Sequence, residues 1–154
     1  MKISASKINL VQLHSEDWLE VRPLIRAFYK YFGYRFSEQK QGRAFRELLA
    51  DETIGAALLI RVEEEAVGYI VLTRGWSIEH GGPVALVDEL FVASGFRNQG
   101  VGSRVLRLLR QHARRMGIRR LFLEVESYNP RAKALYARTG YRDTKRTLMR
   151  MNTD

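Results

Sequence analysis

Apolar and polar positions recur along this chain with two periods, one near two and one near three and a half, and the switches between them outline its elements. Residues 8–14 alternate weakly and read as a first strand. Ser15 follows as the cap of a helix whose first turn carries Glu16 and Asp17, both favourable to the helix dipole. Pro23 either interrupts that helix or marks the start of its second half. Ser37 caps a second helix reaching about Ala50. Residues 54–62 and 66–74 are β-rich runs joined by Glu63-Glu64-Glu65, the pattern of an antiparallel hairpin. A loop over 75–82 holds Trp76, Glu79 and His80. Beyond it the pattern predicts a strand at 84–92, a helix at 101–116 ended by Gly117, and a strand at 118–126. A short helix at 129–139 ended by Gly140 and a last strand at 141–151 complete the order β-α-α-β-β-β-α-β-α-β.

Two segments have two readings each. The helix at 101–116 carries Val101, Val105, Leu108, Leu109 and Met116 on one stripe and Arg104, Arg107, Arg114 and Arg115 mostly off it. Those arginines are a solvated face or a nucleic-acid surface. No aromatic residue interleaves with them, which counts against base stacking. The run Phe28-Tyr29-Lys30-Tyr31-Phe32-Gly33-Tyr34 is either a helix face packed on a sheet or the lip of an acceptor pocket.

Composition narrows the field. At 154 residues, with 45% apolar and 28% charged residues, the chain is expected to be one globular domain. No apolar run approaches the roughly 20 residues of a membrane span, and the first seven residues lack the apolar core of a signal peptide. A cytoplasmic, membrane-free protein is the expectation. The absence of cysteine removes disulfides, thiolate metal sites and a cysteine acyl-enzyme. His14, His80 and His112 are not paired at a metal-binding spacing, so no metal is expected. The net charge of +9 suits an anionic partner, either nucleic acid or a phosphate-bearing cofactor.

Two motifs sharpen that choice. Arg97-Asn98-Gln99-Gly100-Val101-Gly102-Ser103 enters a helix directly behind an apolar strand. Glycines at such a turn let backbone N–H groups approach a diphosphate with no Cβ in the way, while Arg97 adds a cation and Ser103 a donor. The chain lacks the G-x-x-x-x-G-K-[ST] loop, and Val105 stands where G-x-G-x-x-G needs its third glycine, so neither common nucleotide loop is present. In the second motif, Asn129 as cap and Pro130 as first helical residue fix where a helix starts, and so where the phenol of Tyr136 points.

The Arg-x-x-Gly-x-Gly arrangement, preceded by Asp88-Glu89-Leu90-Phe91-Val92 and followed by a Leu-Glu-Val…Asn…Ala…Leu-Tyr…Gly-Tyr series from Leu123 to Tyr141, resembles the Gcn5-related N-acetyltransferases. The resemblance covers residues 66–151; the N-terminal third matches only in its pattern of elements. It implies an α/β fold with a mixed, mostly antiparallel sheet flanked by helices and splayed between the fourth strand (84–92) and the fifth (118–126). One N-acetyltransferase domain is implied over 1–154, acceptor-binding over about 1–65 and acetyl-CoA-binding over about 66–151.

By the same resemblance the diphosphate of acetyl-CoA sits on residues 97–103, the backbone of Leu90, Phe91 and Val92 pairs with the pantetheine arm, and Asn129 belongs to the cofactor side. Tyr136 protonates the departing sulfur. Glu124 matches the base of the ribosomal-protein N-terminal branch, whereas Asp88 and Glu89 match an acidic pair of the polyamine acetyltransferases. A regular strand offers only one of two neighbours to a pocket, but a bulge offers both. The implied reaction is direct attack of a primary amine on acetyl-CoA in a ternary complex, the acceptor being a small amine or a protein or peptide amino group, with a homodimer possible. A non-catalytic acetyl-CoA-binding module and a basic nucleic-acid-binding domain with residues 97–120 as its surface are the alternatives.

Overall fold

The computed structural model describes residues 2–153. Backbone contacts divide the chain into a large unit up to Glu124 and a smaller one from Val125 onward.

The large unit is built on a five-stranded sheet in the order β1 (Ile8–Gln12), β2 (Gly55–Val62), β3 (Glu65–Ser77), β4 (Gly82–Val92), β5 (Arg120–Leu123). The first four run antiparallel and β5 lies parallel to β4. β2 is buried over almost its whole length, as a central strand covered on both faces must be. The β2–β3 turn is tight, with Glu63 in the left-handed region at φ 54°. Gly68 on β3 cannot be another residue, because a Cβ there would stand 2.1 Å from the carbonyl oxygen of Phe91 on β4.

Helices α1 (Trp18–Phe32) and α2 (Glu38–Leu49) cover one face. Trp18, Val21, Ile25, Phe28 and Phe45 pack there against Ala57, Leu59, Tyr69, Val71 and Phe91. Alternation sends Leu58, Ile60, Ile70 and Leu72 to the other face, where all four are 1% exposed or less. Helix α3 (Val101–Arg115) covers that face, with Ala113 against Ala85. Its buried stripe is Val101, Val105, Leu106, Leu109 and Ala113, so Leu106 takes the place expected of Leu108. The Ser37 cap is present, its hydroxyl accepting from the Lys40 amide at 3.3 Å.

In the smaller unit α4 (Pro130–Arg138) starts as its sequence requires. The Asn129 side chain accepts from the Ala132 amide at 3.1 Å and Pro130 fills the first turn.

Five expectations need correction. Ser15 does not cap α1: the carboxylate of Asp17 instead accepts from the His14 amide at 2.7 Å, and the Ser15 hydroxyl turns to Glu16. Pro23 does not interrupt α1, which runs through it. The amide it lacks would have served the carbonyl of Leu19, and Leu19 and Pro23 are both exposed, so that carbonyl is open to water. The loop expected over 75–82 is shorter, because Gly75, Trp76 and Ser77 pair with Val84, Pro83 and Gly82. β5 ends at Leu123 instead of continuing to Glu126, since its partner strand diverges after Val87. Finally, residues 141–151 form no strand. Asp143 accepts from the Lys145 amide and Lys145 adopts φ 58°, a side-chain turn that breaks an extended run.

Candidate active site

The pattern Val84↔Arg120 to Val87↔Leu123 is the whole of the β4–β5 ladder. Among the described residues no strand neighbours the outer edge of β4 from Asp88 to Val92, which is the splay expected between the fourth and fifth strands. On the inner side Val67 and Ala93 are joined by a hydrogen bond from the Ala93 amide to the Val67 carbonyl at 2.7 Å. In an antiparallel ladder the bonded residues alternate, so Phe91 and Glu89 turn their backbone groups towards β3 while Leu90 and Val92 turn theirs outward. Two N–H and two C=O groups therefore line the open edge.

A bulge lies at the point of divergence. Val71 pairs with Glu89 and Leu72 with Val87, leaving Asp88 as the extra residue. Without it Glu89 would share the face of Val87 and Leu72. With it, Glu89 turns to the opposite face, that of Tyr69, Val71 and Phe91. There its carboxylate accepts from the Tyr69 hydroxyl at 2.7 Å. The phenol of Tyr29 on α1 acts on the same carboxylate electrostatically. Burial pushes the Glu89 carboxyl up, the Tyr69 hydrogen bond and the Tyr29 phenol oppose that rise, and the charge of Asp88 adds to it. Asp88 is exposed on the surface, and its carboxyl is raised by partial desolvation. Burial and the Glu89 charge raise both phenols, Tyr29 to about 12, so each stays a proton donor at neutral pH. Glu124, one residue beyond the ladder, is exposed.

The seat at the start of α3 is made of backbone. Gly100 caps the helix at φ 89°, a value that favours glycine, and no heavy atom lies within 4 Å of where its Cβ would stand. Asn98 is also left-handed, at φ 61°. The Gly100 carbonyl accepts from the Arg104 amide, so the N–H groups of Val101, Gly102 and Ser103 are the first-turn donors without an intrahelical partner. An open edge at Leu90 and Val92 and an uncrowded helix N-terminus are what an amide-bearing arm ending in a diphosphate needs. The Gln99 carbonyl is taken by the Ile3 amide at 3.0 Å and its side chain by the Gly95 carbonyl, which fixes the loop.

Arg97 is placed differently from a free cation at a phosphate rim. Its Nε donates to the Val92 carbonyl at 2.7 Å, and its guanidinium lies 4.3 Å from the ring centre of Tyr31 and 5.3 Å from that of Phe91. The aromatic run divides accordingly: Phe28 packs in the core, while Tyr31 and Tyr34 are 58% and 47% exposed. In the smaller unit Tyr136 is half-buried with its ring centre 5.8 Å from that of Tyr141. Burial raises the Tyr136 phenol, and it raises Tyr141 to about 12.

Sequence reasoning missed Tyr69. Its signal was weak: one phenol among the aliphatic residues of a central strand.

An open strand edge and an uncrowded helix N-terminus beside an acidic bulge fit an acetyl-CoA-dependent acyltransferase. The acetyltransferase (GNAT) family model matches residues 13–141, and the chain belongs to that family. YhfO, an uncharacterised N-acetyltransferase of Bacillus subtilis (strain 168), is 26% identical over 137 residues, covering 88% of this chain and 91% of its own. An integron cassette protein from the mobile metagenome of Cole Harbour Salt Marsh has a solved structure with 30% identity and a TM-score of 0.84, over 97% of this chain and 92% of its own. An aminoglycoside N-acetyltransferase in complex with CoA shares the fold, at 15% identity and a TM-score of 0.80 over 96% of this chain and 95% of its own.

Proposed function

We propose that the protein moves an acetyl group from acetyl-CoA to a primary amine of a small cationic acceptor, by direct attack in a ternary complex. The observation that carries this reading is Glu89, a carboxylate turned by a bulge onto the acceptor-side face beside Tyr69 and Tyr29, at the point where β4 leaves β5. Bound acetyl-CoA supplies an activated thioester carbonyl. The N–H groups of Val101, Gly102 and Ser103 hold its diphosphate. Leu90 and Val92 offer their backbone groups to its arm, and one N–H of that edge stabilises the oxyanion as it develops. The Val92 carbonyl has a second lone pair beside the one used by Arg97.

The acceptor attacks as the neutral amine, and Glu89 takes a proton from its nitrogen as the lone pair forms the C–N bond. Its raised pKa brings it closer to the working pH than an ordinary carboxylate, which suits a base. The C–S bond breaks, and Tyr136, kept neutral by burial, gives its proton to the departing thiolate. No cysteine is available to carry the acetyl group, in keeping with direct attack. Asp88, exposed beside Glu89, attracts a second positive charge on the acceptor. The aminoglycoside acetyltransferase of the same fold is one precedent for a cationic acceptor. The single-domain reading of 1–154 belongs to the same proposal.

The test is thiol release from acetyl-CoA with a panel of small mono- and polyamines beside peptides with free N-termini. Faster turnover with small polycationic amines supports the reading. Turnover confined to peptide amines would move the base assignment to Glu124 and overturn it.

A further inference from the structure

We propose that Tyr69 and Tyr29 are positioning residues: their phenols clasp the Glu89 carboxylate from β3 and α1, hold it in one orientation, and set the acidity at which transfer stops. The inference rests on Glu89 acting as the base, and deepens that reading.

Tyr69 is fully buried, yet it is the one phenol on a β3 face otherwise given to packing. Its ring is fixed by edge-on contacts with Phe28 at 6.2 Å and a tilted contact with Phe91 at 6.3 Å. Held that way, its hydroxyl donates to the Glu89 carboxylate at 2.7 Å. A phenylalanine would pack as well; the hydroxyl serves the carboxylate. Tyr29 is the second phenol acting on that carboxylate, its ring held by edge-on contacts with Phe28 at 5.6 Å and Phe36 at 5.7 Å.

The groups facing Glu89 are therefore Tyr69 from β3, Tyr29 from α1 and Asp88 from its own strand. Arg97 lies over Phe91, two residues along the same strand, but is engaged with that ring, Tyr31 and the Val92 carbonyl. The two phenols oppose the burial of Glu89, and Asp88 reinforces it. Because neither phenol ionises near neutral pH, both remain donors wherever Glu89 titrates. A neutral phenol donates more strongly to the anionic carboxylate than to the acid. Removing one donor must therefore raise the pH at which Glu89 ionises.

The experiment is a titration of the glutamate side-chain carboxyls by carbon NMR on the ¹³C-labelled full chain, with the Glu89 signal assigned by its loss in Glu89→Gln. It is repeated on Tyr69→Phe and Tyr29→Phe and paired with pH profiles of kcat on two amines of different basicity. A limb that follows the amine shifts between acceptors, and a limb that follows Glu89 does not. The expected result is an upward move of the Glu89 midpoint by about one pH unit in Tyr69→Phe, the size expected for loss of a hydrogen bond to a charged group. A smaller move in Tyr29→Phe is expected, the acid limb of kcat following in both. A midpoint unmoved in both variants overturns the inference, as does a pH-independent loss of rate. If Tyr69→Phe fails to fold, Tyr29→Phe, at a partly exposed position, carries the same test. A midpoint that moves while the rate profile stays fixed shows instead that Glu89 is not the base.

Discussion

The two sides of this site are made of different material. The proposed cofactor side, from Leu90 to Ser103, is built of backbone: two outward-facing strand residues, a glycine at φ 89° and the first-turn N–H groups of a helix. The proposed acceptor side is built of side chains from three elements, Tyr29 on α1, Tyr69 on β3 and Glu89 on β4, brought together by one extra residue in a strand. A backbone seat tolerates changes of side chain but not the arrival of a like charge. A side-chain cluster fails when a single functional atom is lost.

The chemistry is the sharpest place to test that contrast. Tyr136→Phe removes one oxygen and is expected to lower turnover on the order of 10²-fold, the usual scale for loss of a general acid, with acetyl-CoA affinity nearly unchanged. Pre-steady-state thiol release and a separate thermal-shift measurement check the two halves; full activity would make Tyr136 a packing residue.

On the cofactor side the better charge probe is Gly102→Asp. Gly100→Asp would mix charge with the strain of a left-handed position, whereas Gly102 has ordinary helical backbone, and an acid in the first turn favours the free helix. The expected result is a loss of at least about tenfold in acetyl-CoA affinity, that is ~1.4 kcal/mol, with the unliganded protein as stable as before. Calorimetric titration reads the affinity. Ser103→Ala at the same seat should weaken binding only a few-fold, because the amide that remains supplies most of the contact.

The smallest expected effect is on stability. A carboxylate whose pKa is raised in the folded state binds more protons folded than unfolded. Its cost to the fold therefore grows as pH rises through the ordinary carboxylate value to the raised one, and persists above it. Glu89→Gln should melt higher than the parent at neutral pH, by roughly 2 °C, and the difference should vanish in acid. A melting temperature unchanged by the mutation at every pH would mean that Glu89 is not held against its solvation.

Legibility in the sequence follows the same division. The strand-to-helix turn at Gly100, the Asn129 cap and the splay after the fourth strand were readable because glycine, proline and capping residues constrain the backbone locally. The Asp88–Glu89 pair was readable as a candidate, and a bulge was named as the condition for using it. Where the bulge lies was not, because it depends on register with β3. Tyr69 was hidden for the same reason: its partner is twenty residues away, and alternation carried forward from Val87 places Glu89 on the wrong face. The strand expected at 141–151 failed because its apolar residues suggested extension while Asp143 and Lys145 close a local turn.

The most direct test of the central claim is turnover of Glu89→Gln and Glu124→Gln on the best amine of the panel, measured across pH. Glu89 is half-buried and hydrogen-bonded by Tyr69, and Glu124 is exposed past the end of a ladder. The account predicts a fall on the order of 10²-fold or more for Glu89→Gln, with its acid limb abolished, and a change of no more than a few-fold for Glu124→Gln. The reverse order, or wild-type rates in Glu89→Gln, would contradict it.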